Sequence, residues 1–131
     1  MMSLIQVSAA IIRRGEQYLI CQRGPSGDLP LFWEFPGGKQ EANESPEECL
    51  VRECREELGV DVRITGLFDT TEYQYPNRRV ALAFFNAEIT DGDPQLKVHH
   101  DIRWVTAAKL KYYAFCPADT DIVSRLSNEN Q

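Results

Sequence analysis

The chain is expected to fold as an α/β protein with a mixed sheet and helices packed on it, on three observations. Extended runs rich in β-branched and aromatic residues come in two hairpin-like pairs, Gln6 to Gln22 and Val62 to Ile89. Between them, Ser45 to Gly59 carries the start and stop signals of a single helix. A second helix closes the chain near Ala118 to Leu126. Strands, a helix, more strands and a last helix suit a layered α/β domain, while periodicity leaves the strand order open. A length of 131 residues with 43% hydrophobic content is enough for one core and too little for two, so a single domain over residues 1–131 is expected.

Taken in order, Gln6 to Arg13 is a mainly apolar strand, Arg14-Gly15-Glu16 a turn and Gln17 to Gln22 its return. Arg23 to Asp28 is loop by its Gly and Pro content. Leu31 to Phe35 is a short extended piece leading into a glycine turn at Gly37-Gly38. In the helix that follows, Ser45 is a good N-cap, Pro46 suits the first helical position and Gly59 ends it. Val62 to Tyr75 is a long strand with a break near Gly66, Pro76-Asn77 a turn, and Arg79 to Ile89 the returning strand. After a loop from Thr90 come a short strand, Ile102 to Val105, a helical turn from Thr106, and the closing helix starting near Asp119.

The helix after Ser45 divides into two faces. At roughly 100° per residue, Val51, Cys54 and Leu58 share one side, and Glu53, Glu56 and Glu57 an adjacent arc. Carboxylates at such spacing repel by a few tenths of a kcal/mol per pair, and a divalent cation reverses that sign. Hard cations such as Mg²⁺ take oxygen ligands and keep waters that substrate phosphates replace. A ledge of glutamates beside a glycine turn therefore suits a phosphate substrate carried on metal. The same acids also fit a solvated face, with Glu48, Arg52 and Glu56 in i, i+4 pairs.

Spacing separates the two readings. Gly38, five residues, Glu44, seven residues, Arg52-Glu53, Cys54, Arg55, Glu56-Glu57, one residue, then Gly59-Val60: this run resembles the signature of the Nudix hydrolases. Seven fixed residue types, each used at ~7%, fall into register on the order of once in 10⁸ placements. Cys54 stands where the family has an aliphatic residue, and a buried thiol behaves as a small hydrophobe. The whole chain is similar to the MutT-like branch of nucleoside triphosphate pyrophosphohydrolases.

That resemblance implies an α/β/α sandwich and a divalent cation, Mg²⁺ with Mn²⁺ as an alternative, held by Glu53, Glu56, Glu57 and the carbonyl of Gly38. It implies attack of water on a triphosphate to release a nucleoside monophosphate and pyrophosphate. Arg52 would orient the glutamates and Glu44 would tie the loop to the helix. Arg23 and Lys39 match basic positions and suit phosphate binding, and one of Arg78 and Arg79 would face the substrate. Phe35 and Tyr75 match aromatic positions of a base slot.

Two departures matter. The branch carries a glutamate six residues ahead of the position of Trp104, where this chain has Val98, which neither ligates metal nor accepts a proton. That role is absent or has moved to His99, His100, Asp101, Glu41 or a box glutamate, of which Glu53 is best placed because it already lies on the ledge; the two histidines read more simply as loop surface. Asp119 stands where enzymes acting on oxidised guanine have asparagine. An ionised Asp only accepts, which suits the exocyclic amino group of cytosine, and the CTP-hydrolysing members carry Pro-Ala-Asp like Pro117-Ala118-Asp119. Asp119 is equally a candidate N-cap of the last helix.

Composition restricts partners. A net charge of -6 argues against binding a nucleic acid polymer but not a free nucleotide with metal ions. No run approaches about 18 apolar residues and the N-terminus lacks a basic region before an apolar one, so neither membrane nor export is indicated and the cytoplasm is expected. Cys21, Cys49, Cys54 and Cys116 have no CxxC spacing and read as reduced thiols, Cys49 as space-filling. The leading function is a metal-dependent (d)NTP pyrophosphohydrolase of nucleotide-pool sanitation, as monomer or homodimer, with (d)CTP or modified dCTP slightly favoured. The alternatives are an 8-oxo-dGTP diphosphatase, a Nudix hydrolase of a nucleotide sugar or dinucleotide, and a catalytically inactive nucleotide-binding module.

Overall fold

In the computed structural model, which describes residues 4–129, β1 (Leu4–Arg14) runs through the middle of a seven-stranded sheet. Ala9 and Ile11 face one core, Ala10 and Ile12 the other, and all are buried. Burial on both faces is why this strand is apolar without alternation. β2 (Gln17–Gln22) pairs antiparallel with the end of β1, and β6 (Arg78–Asp91) pairs parallel with it, Ala9 opposite Phe84. β5 (Asp61–Tyr75) folds against β6 as the second hairpin, with a register shift between Ile64 and Gly66 where a break was expected. β3 (Trp33–Glu34) and β7 (Asp101–Thr106) lie on either side of β2. Residues 1–3, which begin the segment read for export signals, lie outside the described residues.

The glycine turn is a short strand. β4 (Gly37–Lys39) pairs antiparallel with β1, Gly37 opposite Ala9. Glycine is required there because a Cβ on Gly37 would stand 2.0 Å from the Ser8 carbonyl oxygen. β1 thus changes neighbour along its length, β4 beside Val7 to Ala9 and β2 beside Arg13 and Arg14.

α1 (Pro46–Leu58) starts in a reciprocal cap: Glu48 N–H donates to Ser45 Oγ at 3.0 Å, and Ser45 N–H donates to Glu48 Oε1 at 2.9 Å. Glu48 is therefore occupied in the cap rather than in an ion pair with Arg52. The helix ends at Gly59 with φ 69°, a left-handed value glycine tolerates. Cys49, Leu50, Cys54 and Leu58 are its buried residues, with Leu50, Cys54 and Leu58 in one core beside Ile12, Leu19 and Phe85. Val51, expected in that stripe, lies at its border and is half-buried, because Leu50 takes the centre. α2 (Thr120–Glu129) covers the opposite face through Ile122, Val123 and Leu126. A 3₁₀ turn, Pro117–Asp119, precedes it, so the α-helix starts one residue later than the sequence suggests. Helices on both sides of the sheet make the expected α/β/α sandwich. Among the described residues no helix is long and apolar enough to cross a membrane.

Candidate active site

On the polar side of α1, Arg52 sits at the centre of the acids. Its guanidinium meets Glu44 with two bonds, Nε to Oε2 at 2.7 Å and Nη2 to Oε1 at 3.0 Å. Nη1 donates to Glu53 Oε1 at 2.8 Å and to Glu56 Oε2 at 3.2 Å, and Nη2 to the Lys39 carbonyl at 3.1 Å. The planar fork of arginine suits this geometry, and its hydrogen bonds, with that from the Glu41 N–H and the Arg52 charge, hold the Glu44 carboxyl down to about 2. Glu44 also accepts from the Glu41 N–H at 2.9 Å. The loop of residues 39–44 is thereby tied to the helix.

The three box glutamates have different surroundings. Glu56 is mainly exposed. Glu53 is nearly covered, burial pushes its carboxyl up, and a Cβ on Gly38 would lie 2.4 Å from its Cδ. Gly38 is what lets that carboxylate approach the main chain. Glu57 lines a cavity, burial pushes its carboxyl up to about 7, and its Oε1 is buried with no hydrogen-bond partner. Among the described residues no three His, Cys, Asp or Glu side chains converge on one point. Glu53 and Glu56 turn to Arg52 instead.

The cavity, of about 420 Å³, runs from Gly38 and Glu57 to Asp119. Arg23, Lys39 and Arg78 line it as cations. Arg23 pairs with Glu34 at 3.0 Å and Arg78 with Asp28 at 2.7 Å. Arg79, the next residue on the strand, pairs with Glu72 and does not line the cavity. Phe35 and Tyr75 form the aromatic part of the wall: Phe35 is buried against Phe84 and Phe115, and the Tyr75 hydroxyl accepts from Ala118 N–H at 3.3 Å. Asp119 is 4% exposed, and its Oδ2 accepts from the Phe35 N–H at 3.2 Å. The capping alternative is thus corrected: Asp119 ends the 3₁₀ turn before α2, and its carboxylate accepts from the sheet-side amide of Phe35. Burial and the nearby Glu34 charge push its carboxyl up to about 7.

The loop before β7 holds the other correction. Val98 is exposed, as is His100, but the His99 side chain is only 4% exposed and its Nε2 lies 3.6 Å from Glu34 Oε2. Its backbone is at the surface while the ring packs inward, a distinction that a loop composition does not encode. Glu34, between Arg23 and His99, was not singled out from the sequence. A lone acid inside the apolar run Leu31 to Phe35 was the available signal.

The NUDIX domain family matches residues 7–125, nearly the whole of this arrangement. The chain belongs to the Nudix family. It is similar to the 8-oxo-dGTP diphosphatase of Escherichia coli strain K12, 32% identical over 126 residues that cover 95% of this chain and 98% of the relative. The CTP pyrophosphohydrolase of the same organism is 33% identical over 122 residues, covering 93% and 90%. Among solved structures, the MutT protein of methicillin-resistant Staphylococcus aureus 252 superposes with TM-score 0.79 at 36% identity, covering 98% of this chain and 99% of its own. The chain is therefore a Nudix pyrophosphohydrolase of the MutT-like kind.

Nudix hydrolases generally require a divalent metal, and the residues here fit one. The buried Glu57 oxygen without a partner is an acceptor held away from water, costly unless a cation or proton reaches it. A glycine at position 38 keeps main chain and Glu53 carboxylate close. The carboxylates of Glu53, Glu56 and Glu57 and the Gly38 carbonyl offer hard oxygens, as Mg²⁺ prefers.

Proposed function

We propose that this Nudix hydrolase is a Mg²⁺-dependent nucleoside triphosphate pyrophosphohydrolase, converting (d)NTP and water to (d)NMP and pyrophosphate, with (d)CTP or a modified dCTP slightly favoured. The observation that carries the reading is one cavity joining the unpartnered Glu57 oxygen to the buried acceptor Asp119. Glu53, Glu56, Glu57 and the Gly38 carbonyl would hold the cation, with Mn²⁺ an alternative. When bound, it supplies Lewis-acid activation of water and neutralises the pyrophosphate leaving group. Arg52 and Glu44 position the glutamates, and Arg23, Lys39 and Arg78 bind the phosphates. Glu53, its carboxyl raised by burial, takes the proton from water. Phe35 and Tyr75 wall the base, and ionised Asp119 accepts from the amino group of cytosine. The reading includes a single domain over residues 1–131, monomeric or homodimeric, in the cytoplasm.

Protonated Asp119 donates as well as accepts, as asparagine does, and its raised carboxyl favours 8-oxo-dGTP as the second reading. Pyrophosphate release from dCTP, CTP, 5-methyl-dCTP, 8-oxo-dGTP, dGTP and ADP-ribose, with and without Mg²⁺, tests both. The cytidine nucleotides are expected to lead. Glu53→Gln and Glu57→Gln are each expected to cut turnover at least tenfold with the fold intact. Wild-type turnover in either would show the glutamate assignment to be wrong.

A further inference from the structure

Two buried polar atoms of the described residues have no hydrogen-bond partner, Glu57 Oε1 and His99 Nδ1, and both residues line one cleft of about 220 Å³. The cleft shares Arg23, Glu34 and Glu57 with the main cavity. The His99 ring is 4% exposed, and its other nitrogen, Nε2, faces Glu34 Oε2, which is held in place through Arg23. A metal-ligating histidine almost always turns its second ring nitrogen to a carboxylate, which fixes the tautomer and leaves a lone pair on the first. An imidazole nitrogen buried without a donor to meet it costs free energy that a cation would offset.

We propose that His99 Nδ1 is a protein ligand of the divalent cation, alongside Glu57 of the same cleft, taking the place of the acid absent at Val98. Glu34 is the positioning residue that orients the ring. This rests on the cation site proposed above and adds a nitrogen to a donor set otherwise made of oxygen. Imidazole favours Mn²⁺ and later transition ions over Mg²⁺, so this site would discriminate between them more than an all-carboxylate one.

The test uses the full chain with Mn²⁺ alone, in the absence of nucleotide. The protein has two histidines, which makes a nitrogen signal assignable. Pulsed EPR of bound Mn²⁺ is expected to show coupling to a directly coordinated ¹⁴N in the wild type and in His100→Gln, and none in His99→Gln. Competition between Mn²⁺ and Mg²⁺ is expected to show the preference for Mn²⁺ falling at least threefold in His99→Gln. Bound Mn²⁺ without ¹⁴N coupling in the wild type, a result that needs no variant, would overturn the role of His99 and leave the carboxylate site standing. Coupling unchanged in folded His99→Gln would do the same. No Mn²⁺ uptake by the wild type would overturn both.

Discussion

Asp119 shows how one side chain links substrate choice to stability. Its carboxyl is buried and lifted from the ordinary 3.8 to about 7, by burial first and Glu34 second, with the Phe35 N–H and Arg23 pulling the other way. Below pH 3.8 both folded and unfolded chains hold the proton, and stability is unaffected. Between 3.8 and about 7 the folded chain keeps a proton that the unfolded one releases, so stability falls as pH rises, by on the order of 1.4 kcal/mol per unit. Above that the loss is complete. Asp119→Asn cannot ionise and can still accept from Phe35, so it is expected to melt several degrees above the wild type at pH 8 and level with it near pH 4. A gap independent of pH would remove the titration from the account. The same variant is expected to shift relative kcat/KM from dCTP toward 8-oxo-dGTP. The sequence suggested the base contact through Pro117-Ala118-Asp119, but not the Phe35 bond, whose partners lie 84 residues apart.

At the scale of elements, β4 and α1 act together, and two adjacent glycines separate folding from chemistry. A Cβ on Gly37 would meet rigid main chain at Ser8, whereas one on Gly38 would meet the movable end of Glu53. Gly37→Ala is therefore expected to lower the melting temperature markedly. Gly38→Ala is expected to fold nearly as the wild type while losing at least tenfold in turnover, because Glu53 must swing away. Circular dichroism melts with turnover on one nucleotide check both, and equal melting losses would contradict the distinction. The capped helix, its end at Gly59 and both hairpins were legible because capping and turn chemistry are local. The pairing of Gly37–Lys39 with β1 was not, since a three-residue strand with glycine at two positions has no alternation to read. The burial of His99, weighed as a candidate but read as loop surface, was not legible for a related reason: the ring lies near Glu34 and shares a cleft with Glu57, both far away in the chain.

For the whole molecule, Glu44, Glu53 and Glu56 of the signature are held together in a protein of net charge -6 by a cation of its own, Arg52. Residue spacing made this cluster legible, since chance does not produce it. The different fates of Glu53, Glu56 and Glu57 were not legible, because spacing alone does not say which of them Arg52 reaches and which is buried without a partner. An ion that binds the folded chain alone must stabilise the fold, by RT ln(1 + [L]/Kd), or about 1.4 kcal/mol at ten times Kd. For a domain of this size that is a rise of roughly 5 °C. Raising Mg²⁺ is therefore expected to raise the melting temperature, with NaCl at equal ionic strength, which only screens exposed charge, giving a smaller rise. Glu57→Gln removes a buried carboxyl lifted to about 7 and is expected to melt higher than the wild type without Mg²⁺ at pH 8, yet to lose the Mg²⁺ increment. Retention of that increment in Glu57→Gln, or an equal rise in NaCl, would mean that the folded acids attract cations only as a diffuse cloud.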